Sequence, residues 1–192
     1  MIPNFNHSGV LPPFLPEIGP TDAAAMAPFR VSITDLVSGF AGSPERDAIM
    51  RGLLDYRAEL VRSGIQSGFQ WIAGSFVEDC ESNRNRSPAD VDIVTFARRP
   101  PGRKQYSDWA AFCRENSDLF KRSVIKANYS CDAFFIDLEI PAEMVVSYSR
   151  FWFGLFSHQR ETYLWKGILQ VPLVGDDSQA RELVTGGSAD AP

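Results

Sequence analysis

Residues 69–96, FQWIAGSFVEDCESNRNRSPADVDIVTF, read as a strand, a tight Gly74-Ser75 turn, a polar loop and a second strand. The second strand opens with Asp90 and Asp92, one residue apart. Strand side chains alternate between faces, so both carboxylates point the same way. Ile93, Val94, Thr95 and Phe96 behind them are apolar or β-branched, as a buried strand requires. Two carboxylates side by side at the edge of such a strand repel each other and lose hydration unless a cation lies between them. The pair is therefore a metal-site signal. The Gly-Ser turn ahead of it offers backbone N–H groups and a hydroxyl, which suit a phosphate.

Gly74-Ser75 followed by Asp90-Val91-Asp92 resembles the signature of the DNA polymerase beta-type nucleotidyltransferase superfamily, over roughly residues 66 to 138. The resemblance implies a third acid on a later strand. Asp132, in Ser130-Cys131-Asp132-Ala133-Phe134-Phe135-Ile136, matches best. Asp137 is its rival, but it ends the strand before Glu139 and Pro141, where an exposed acid is ordinary. Asp132 is enclosed by apolar neighbours and is costly there without a partner.

The resemblance further implies an α/β (α+β) nucleotidyltransferase fold, a small mixed sheet flanked by helices. Asp90, Asp92 and Asp132 would hold two Mg²⁺ ions, and Asp132 would help take the proton from an attacking hydroxyl. Gly74, Ser75 and a downstream base, Lys166, would contact the triphosphate of an NTP. The implied activity moves a nucleoside monophosphate to a hydroxyl on protein, RNA or a small molecule. Small solitary chains of this kind resemble components of bacterial toxin–antitoxin or phage-defence systems. There the alternative is a catalytically silent interaction protein.

Each residue also has an ordinary reading. Asp90 suits a turn after Pro88, Gly-Ser is a frequent turn, and Lys166 suits an exposed strand edge. Glu78 and Asp79 read as helix caps. His158, Arg160 and Glu161 suit the end of a helix. Arg84, Arg86, Arg98, Arg99, Arg103 and Lys104 form either a positive collar around the aspartate strand or plain solvated loop charge.

The 192 residues fit one domain able to bury a core, and 44% hydrophobic with 22% charged residues is a globular composition. No apolar run has the length of a membrane span and no leader pattern opens the chain, so a cytoplasmic location is expected. Three cysteines argue for reduced thiols. A net charge of −5 disfavours nonspecific DNA binding.

Residues 1 to 28 hold six of the thirteen prolines among bulky apolar side chains. This predicts an extended arm laid on the domain or on a neighbouring chain, in a homo-oligomer or with a partner protein. The domain itself runs from 29 to 185. Ser32 to Asp35 begins a capped helix, and Pro44 a longer one ending near Gly64, with Ile49, Leu53, Leu54, Ala58 and Val61 on its inner face. Further helices are expected over 107–116, 118–126, 143–156 and 177–184, with strands over 66–73, 130–138 and 166–174. The aromatic residues of 143–156 are expected in the core. The tail, 186–192, is disordered by composition.

Overall fold

Strands β2 (Gly68–Ala73) and β3 (Val91–Ala97) pair antiparallel, with Trp71 opposite Val94 and Ala73 opposite Asp92. The structure, a computed structural model, describes residues 2–160 and 162–186. Strand β4 (Cys131–Asp137) joins β3 in parallel, and β5 (Leu169–Pro172) joins the other side of β2 antiparallel. A two-residue β1 (Phe29–Arg30) runs parallel to β5 and completes a mixed sheet in the order β1-β5-β2-β3-β4. The central strands carry Ile72, Ile93, Val94 and Phe96, all buried. Such near-continuous apolar sequence belongs to strands covered on both faces.

The expected mixed sheet flanked by helices is what forms. Ser32 caps α1 (Ile33–Phe40) in a capping box with Asp35. Ser43 and Pro44 start α2 (Pro44–Arg62), and a short α3 (Cys80–Arg84) follows the Gly74 turn. One sheet face, with Gln70, Thr95, Ala133 and Phe135, meets α2, α4 (Tyr106–Glu115) and α5 (Arg122–Tyr129). The opposite face, with Trp71, Phe134 and the aspartates, meets α6 (Ala142–Phe156) through Phe153 and Trp152. Helix α7 (Asp177–Gly186) packs on α1 and α2.

Three expectations change. The helix expected over 118–126 is a 3-10 turn, Ser117–Leu119, and then α5. Between them Phe120 turns inward and packs edge-on against Trp109 and Phe135, which a continuous helix would prevent. In α6, Trp152 and Phe156 are buried, but Tyr148 and Phe151 are exposed. The last strand shrinks to Leu169–Pro172.

The arm docks, but it is not extended. Phe14 bridges Met26 as the chain doubles back, and Val10 and Leu11 are fully buried in the chain's own domain. Residues 187–192, which make up all of the expected tail except Gly186, lie outside the described residues. No helix among the described residues is long and apolar enough to cross a membrane.

Candidate functional site

The parallel register of β3 and β4 sets Asp92 beside Asp132, and Asp90 immediately precedes β3. The Asp92 and Asp132 side chains belong to the sheet face that α6 covers incompletely, and Asp90 lies just ahead of that face. Gly74, at φ +79°, turns the chain out of β2 directly over the Asp92 carboxylate. A Cβ at Gly74 would lie 2.0 Å from Asp92 Oδ2. Only glycine gives both this backbone angle and this close approach. Ser75 then opens a 3-10 turn, Ser75–Val77.

The three acids have different electrostatic environments. Burial, then the charges of Asp90 and Asp132, push Asp92 up to about 6, against weaker opposing pulls from Lys166 and Lys126. The Arg122 guanidinium bonds both carboxylate oxygens of Asp132 and holds that acid below the ordinary aspartate range. Lys126 Nζ bonds Asp90. Asp137 is elsewhere, at the far end of β4, where Arg99 Nε donates to it at 2.8 Å. Of the two rivals, only Asp132 meets Asp92.

Lys166 is not an exposed edge lysine. It is 3% exposed, and its ammonium donates to the Glu78 carboxylate and, at 3.2 Å, to the Gly74 carbonyl. Glu78 does not cap α3 either. Asp79 caps α3, accepting from Ser82 N at 3.2 Å, whereas Glu78 is buried and also accepts from Arg84 at 2.6 Å and Gln159 at 2.9 Å. Arg46, on the inner stripe of α2, clamps the same segment by donating to the carbonyls of Phe76 (2.7 Å) and Glu78 (2.8 Å) and to Glu81 (2.6 Å). Sequence reading missed Glu78 and Arg46. For Arg46 a signal existed, since it stands three and seven residues before the inward-facing Ile49 and Leu53.

Part of this set lines one cleft of about 530 Å³, a size common for small-ligand sites. Gly74, Ser75, Asp92, Asp132 and Lys166 all face it, with Glu78, Arg84, Arg86, Arg122, Phe134, Trp152, His158 and Arg160. Asp90 stands behind the lining residues, tied to Lys126. The positive collar divides in two. Arg84 and Arg86 face the cleft, while Arg98, Arg99 and Arg103 pair with Glu139, Asp137 and Glu115 away from it. His158 Nδ1 lies 3.0 Å from the Gly154 carbonyl at the end of α6, its ordinary helix-end role. Glu161 lies outside the described residues.

Residues 3–172 match the model of a family of unknown function, DUF6932. The chain belongs to this family. No curated protein and no solved structure matches it. The DUF6932 match takes in the arm, the Gly74 turn, all three acids and Lys166, and it stops at the last residue of β5, before α7.

In this DUF6932 chain no three His, Cys, Asp or Glu groups among the described residues are drawn tightly enough together to form a ready metal cage. Arginine and lysine nitrogens occupy the oxygens of Asp132 and Asp90 instead. The site combines an uncompensated carboxylate, two carboxylates bonded to exposed cations, a turn lying on the first carboxylate, and buried positive charge behind that turn. Chemically it can take up a cation at the acids and an anion at the turn.

Proposed function

We propose that the protein is a Mg²⁺-dependent nucleotidyltransferase of nucleotidyltransferase fold, moving a nucleoside monophosphate from an NTP to a hydroxyl acceptor. The observation that carries this reading is the contact of Gly74 with Asp92 at the point where β4 brings Asp132 alongside. A phosphate-suited turn and an acidic pair thereby share one cleft. The donor set suits Mg²⁺, a hard cation that prefers carboxylate oxygens. Asp92 in particular is a half-buried carboxylate whose pKa is raised by desolvation and by the charges of Asp90 and Asp132, which a bound cation would offset. Asp90, Asp92 and Asp132 would hold the metal. Bound there, Mg²⁺ would supply charge neutralisation for the polyphosphate and acidification of the attacking hydroxyl.

The chain's own residues supply the rest. Ser75 and the amides of its turn receive the phosphate oxygens, and Arg84, Arg86 and Arg160 face the same anion across the cleft. Lys166, fixed by Glu78 and the Gly74 carbonyl, holds the turn in place and sets positive charge beneath it. The acceptor oxygen bonds the α-phosphorus, the bond to the leaving pyrophosphate breaks, and the acceptor proton passes to Asp132. A cytoplasmic location, where NTP and Mg²⁺ are at hand, fits the three free thiols Cys80, Cys113 and Cys131.

One observation favours the second reading, a catalytically silent interaction protein of a toxin–antitoxin or phage-defence pair. Arg122 and Lys126 already neutralise two of the three acids, as a retired site would. Turnover separates the two. The enzyme releases pyrophosphate, or transfers α-phosphate label to an acceptor in lysate, and loses this in Asp92→Asn and in Asp132→Asn. Thermal stabilisation by Mg·NTP with no transfer from any of the four nucleotides would favour the silent protein.

A further inference from the structure

Helix α5 sets two cations against the acids. Arg122 is its first residue and Lys126 follows one turn on, so both project from one helix face. The Arg122 guanidinium forks onto Asp132, with Nη2 at 2.5 Å from Oδ2, and its centre lies 5.1 Å from the centroid of the Phe134 ring. Lys126 bonds Asp90 and lies 3.8 Å from the nearer Asp132 oxygen. Asp92, beside Asp132 in the β3–β4 register, has no bonded cation of its own among the described residues.

The α5 cations differ in kind from the others at the site. Lys166 and Arg46 are buried and held by several carbonyl and carboxylate partners. The side chains of Arg122 and Lys126 are 58% and 51% exposed, so their ion pairs rather than packing keep them where they are. Only the cation ends are exposed: the Asp132 and Asp90 side chains are 8% and 19% exposed, so the cations can turn out into water but the acids need another cation in their place. A carboxylate forked by a guanidinium has both oxygens engaged and cannot ligate a metal at the same time.

We propose that Arg122 and Lys126 compete with divalent metal for Asp132 and Asp90, so that metal and an anionic polyphosphate bind as a coupled pair. This rests on the nucleotidyltransferase reading of the cleft. Metal arriving alone must break both ion pairs and leave the two cations in solvent. A polyphosphate gives those cations a new anionic partner as the metal takes the acids, so each ligand strengthens the other's binding. The α5 pair thus offsets two of the three acids in the absence of substrate and makes loading with metal conditional on substrate.

The test measures metal affinity, not turnover. Mg²⁺ binding is followed by calorimetry at buffered free Mg²⁺, with and without inorganic tripolyphosphate, for the wild type, Arg122→Gln, Lys126→Gln and the double variant. Removing the competitors should tighten binding of Mg²⁺ alone by about tenfold in the double variant, within the usual range of coupling factors. Tripolyphosphate should then enhance Mg²⁺ binding much less than it does in the wild type. Arg122→Lys, which keeps the charge and loses the fork, should fall between. Circular dichroism establishes that each variant is folded. Unchanged or weaker Mg²⁺ binding in the folded variants, or no binding in any of them, overturns the proposal. Pyrophosphate release by the wild type, with Mg²⁺ affinity unaltered in the variants, would keep the enzyme and discard the competition. Tighter Mg²⁺ binding in the variants without turnover would do the reverse.

Discussion

At Asp92, burial and neighbouring negative charge act in the same direction. Its folded-state pKa of about 6 lies above the ordinary aspartate value of 3.8, so the folded protein binds this proton more tightly than the unfolded chain does. The sign follows from linkage. Stability from this group is fully present below about pH 4 and is lost as pH rises from about 4 to 6. Asp92→Asn removes the ionised form, so above pH 6 it should stabilise the metal-free protein by on the order of 3 kcal/mol, since each tenfold change in proton affinity is worth about 1.4 kcal/mol. The gain should vanish near pH 4. Thermal melts of both proteins in chelator at pH 4.5 and 7.5 measure it, and a gap that does not widen with pH would refute the cause assigned. Glu81 runs the other way. The Arg46 hydrogen bond, offset in part by burial, holds it down to about 2, so its contribution is present above about pH 4.5 and is lost as pH falls toward 2. Asp92, Asp132 and Gly74 were legible in sequence because each is an anomaly within a strand or at its end. Glu78 was not. Its neighbours suggest a cap, and its partners Lys166 and Gln159 come from a part of the chain whose approach no local pattern encodes.

Among the elements, α2 shows what periodicity conveys and what it conceals. Its inner stripe of Ile49, Met50, Leu53, Leu54 and Leu60 is mostly apolar, and the helix follows from its spacing. Arg57 sits in the same stripe and is 0% exposed. It donates to Asp177 at 2.5 and 2.8 Å, to Gln70 at 2.8 Å, and to the carbonyls of Pro172 and Leu173 at 2.9 and 3.2 Å. Gln70 passes the network on to Thr95 at 3.0 Å. A charge on an amphipathic helix reads as outward-facing, so the tie from α2 to α7 and β5 was hidden although its residue was in view. Arg57→Ala leaves the Gln70 oxygen and the carbonyls of Pro172 and Leu173 without this donor and should cost about 3–5 kcal/mol, read from urea midpoints. Replacing Arg57 and Gln70 together by leucine should recover part of that loss, because no side-chain acceptor is then stranded at Gln70. A double variant no more stable than Arg57→Ala would mean that packing, and not the stranded acceptor, sets the cost. Helix α6 shows the converse. Its aromatic content reads as core, yet it meets the sheet through one side, leaving Phe151 55% exposed. Hydrophobicity indicates that a helix has apolar faces, not how many of them the fold covers.

For the molecule as a whole, the arm decides how well the cleft is held. Apolar residues among prolines made docking legible, but where the arm docks depends on backbone pairing with distant segments. Val10 bridges Glu78, the Gly9 carbonyl accepts from Asp79 N at 2.9 Å, and the Leu11 carbonyl accepts from Gly167 N at 2.7 Å. The arm thus backs both members of the Glu78–Lys166 pair from behind the cleft. Removing residues 1–20 withdraws the buried Val10 and Leu11, about 1.5–3 kcal/mol each, which for a chain of this size lowers Tm by roughly 10 °C. It should also weaken binding of Mg·NTP beyond the effect on stability, since the turn and Lys166 lose their support. Gly167→Ala separates the two effects. A Cβ there would lie 2.4 Å from the Pro12 carbonyl oxygen, so the methyl pushes the arm off its seat while leaving every residue of it present. The variant should melt below the wild type and above the truncation, and its nucleotide affinity should fall in the same order. Melting curves and Mg·NTP titrations of the three proteins settle it. A truncation that melts with the wild type would show a free tail. A truncation that loses stability but keeps wild-type nucleotide affinity would show an arm that holds the fold and has no part in the cleft.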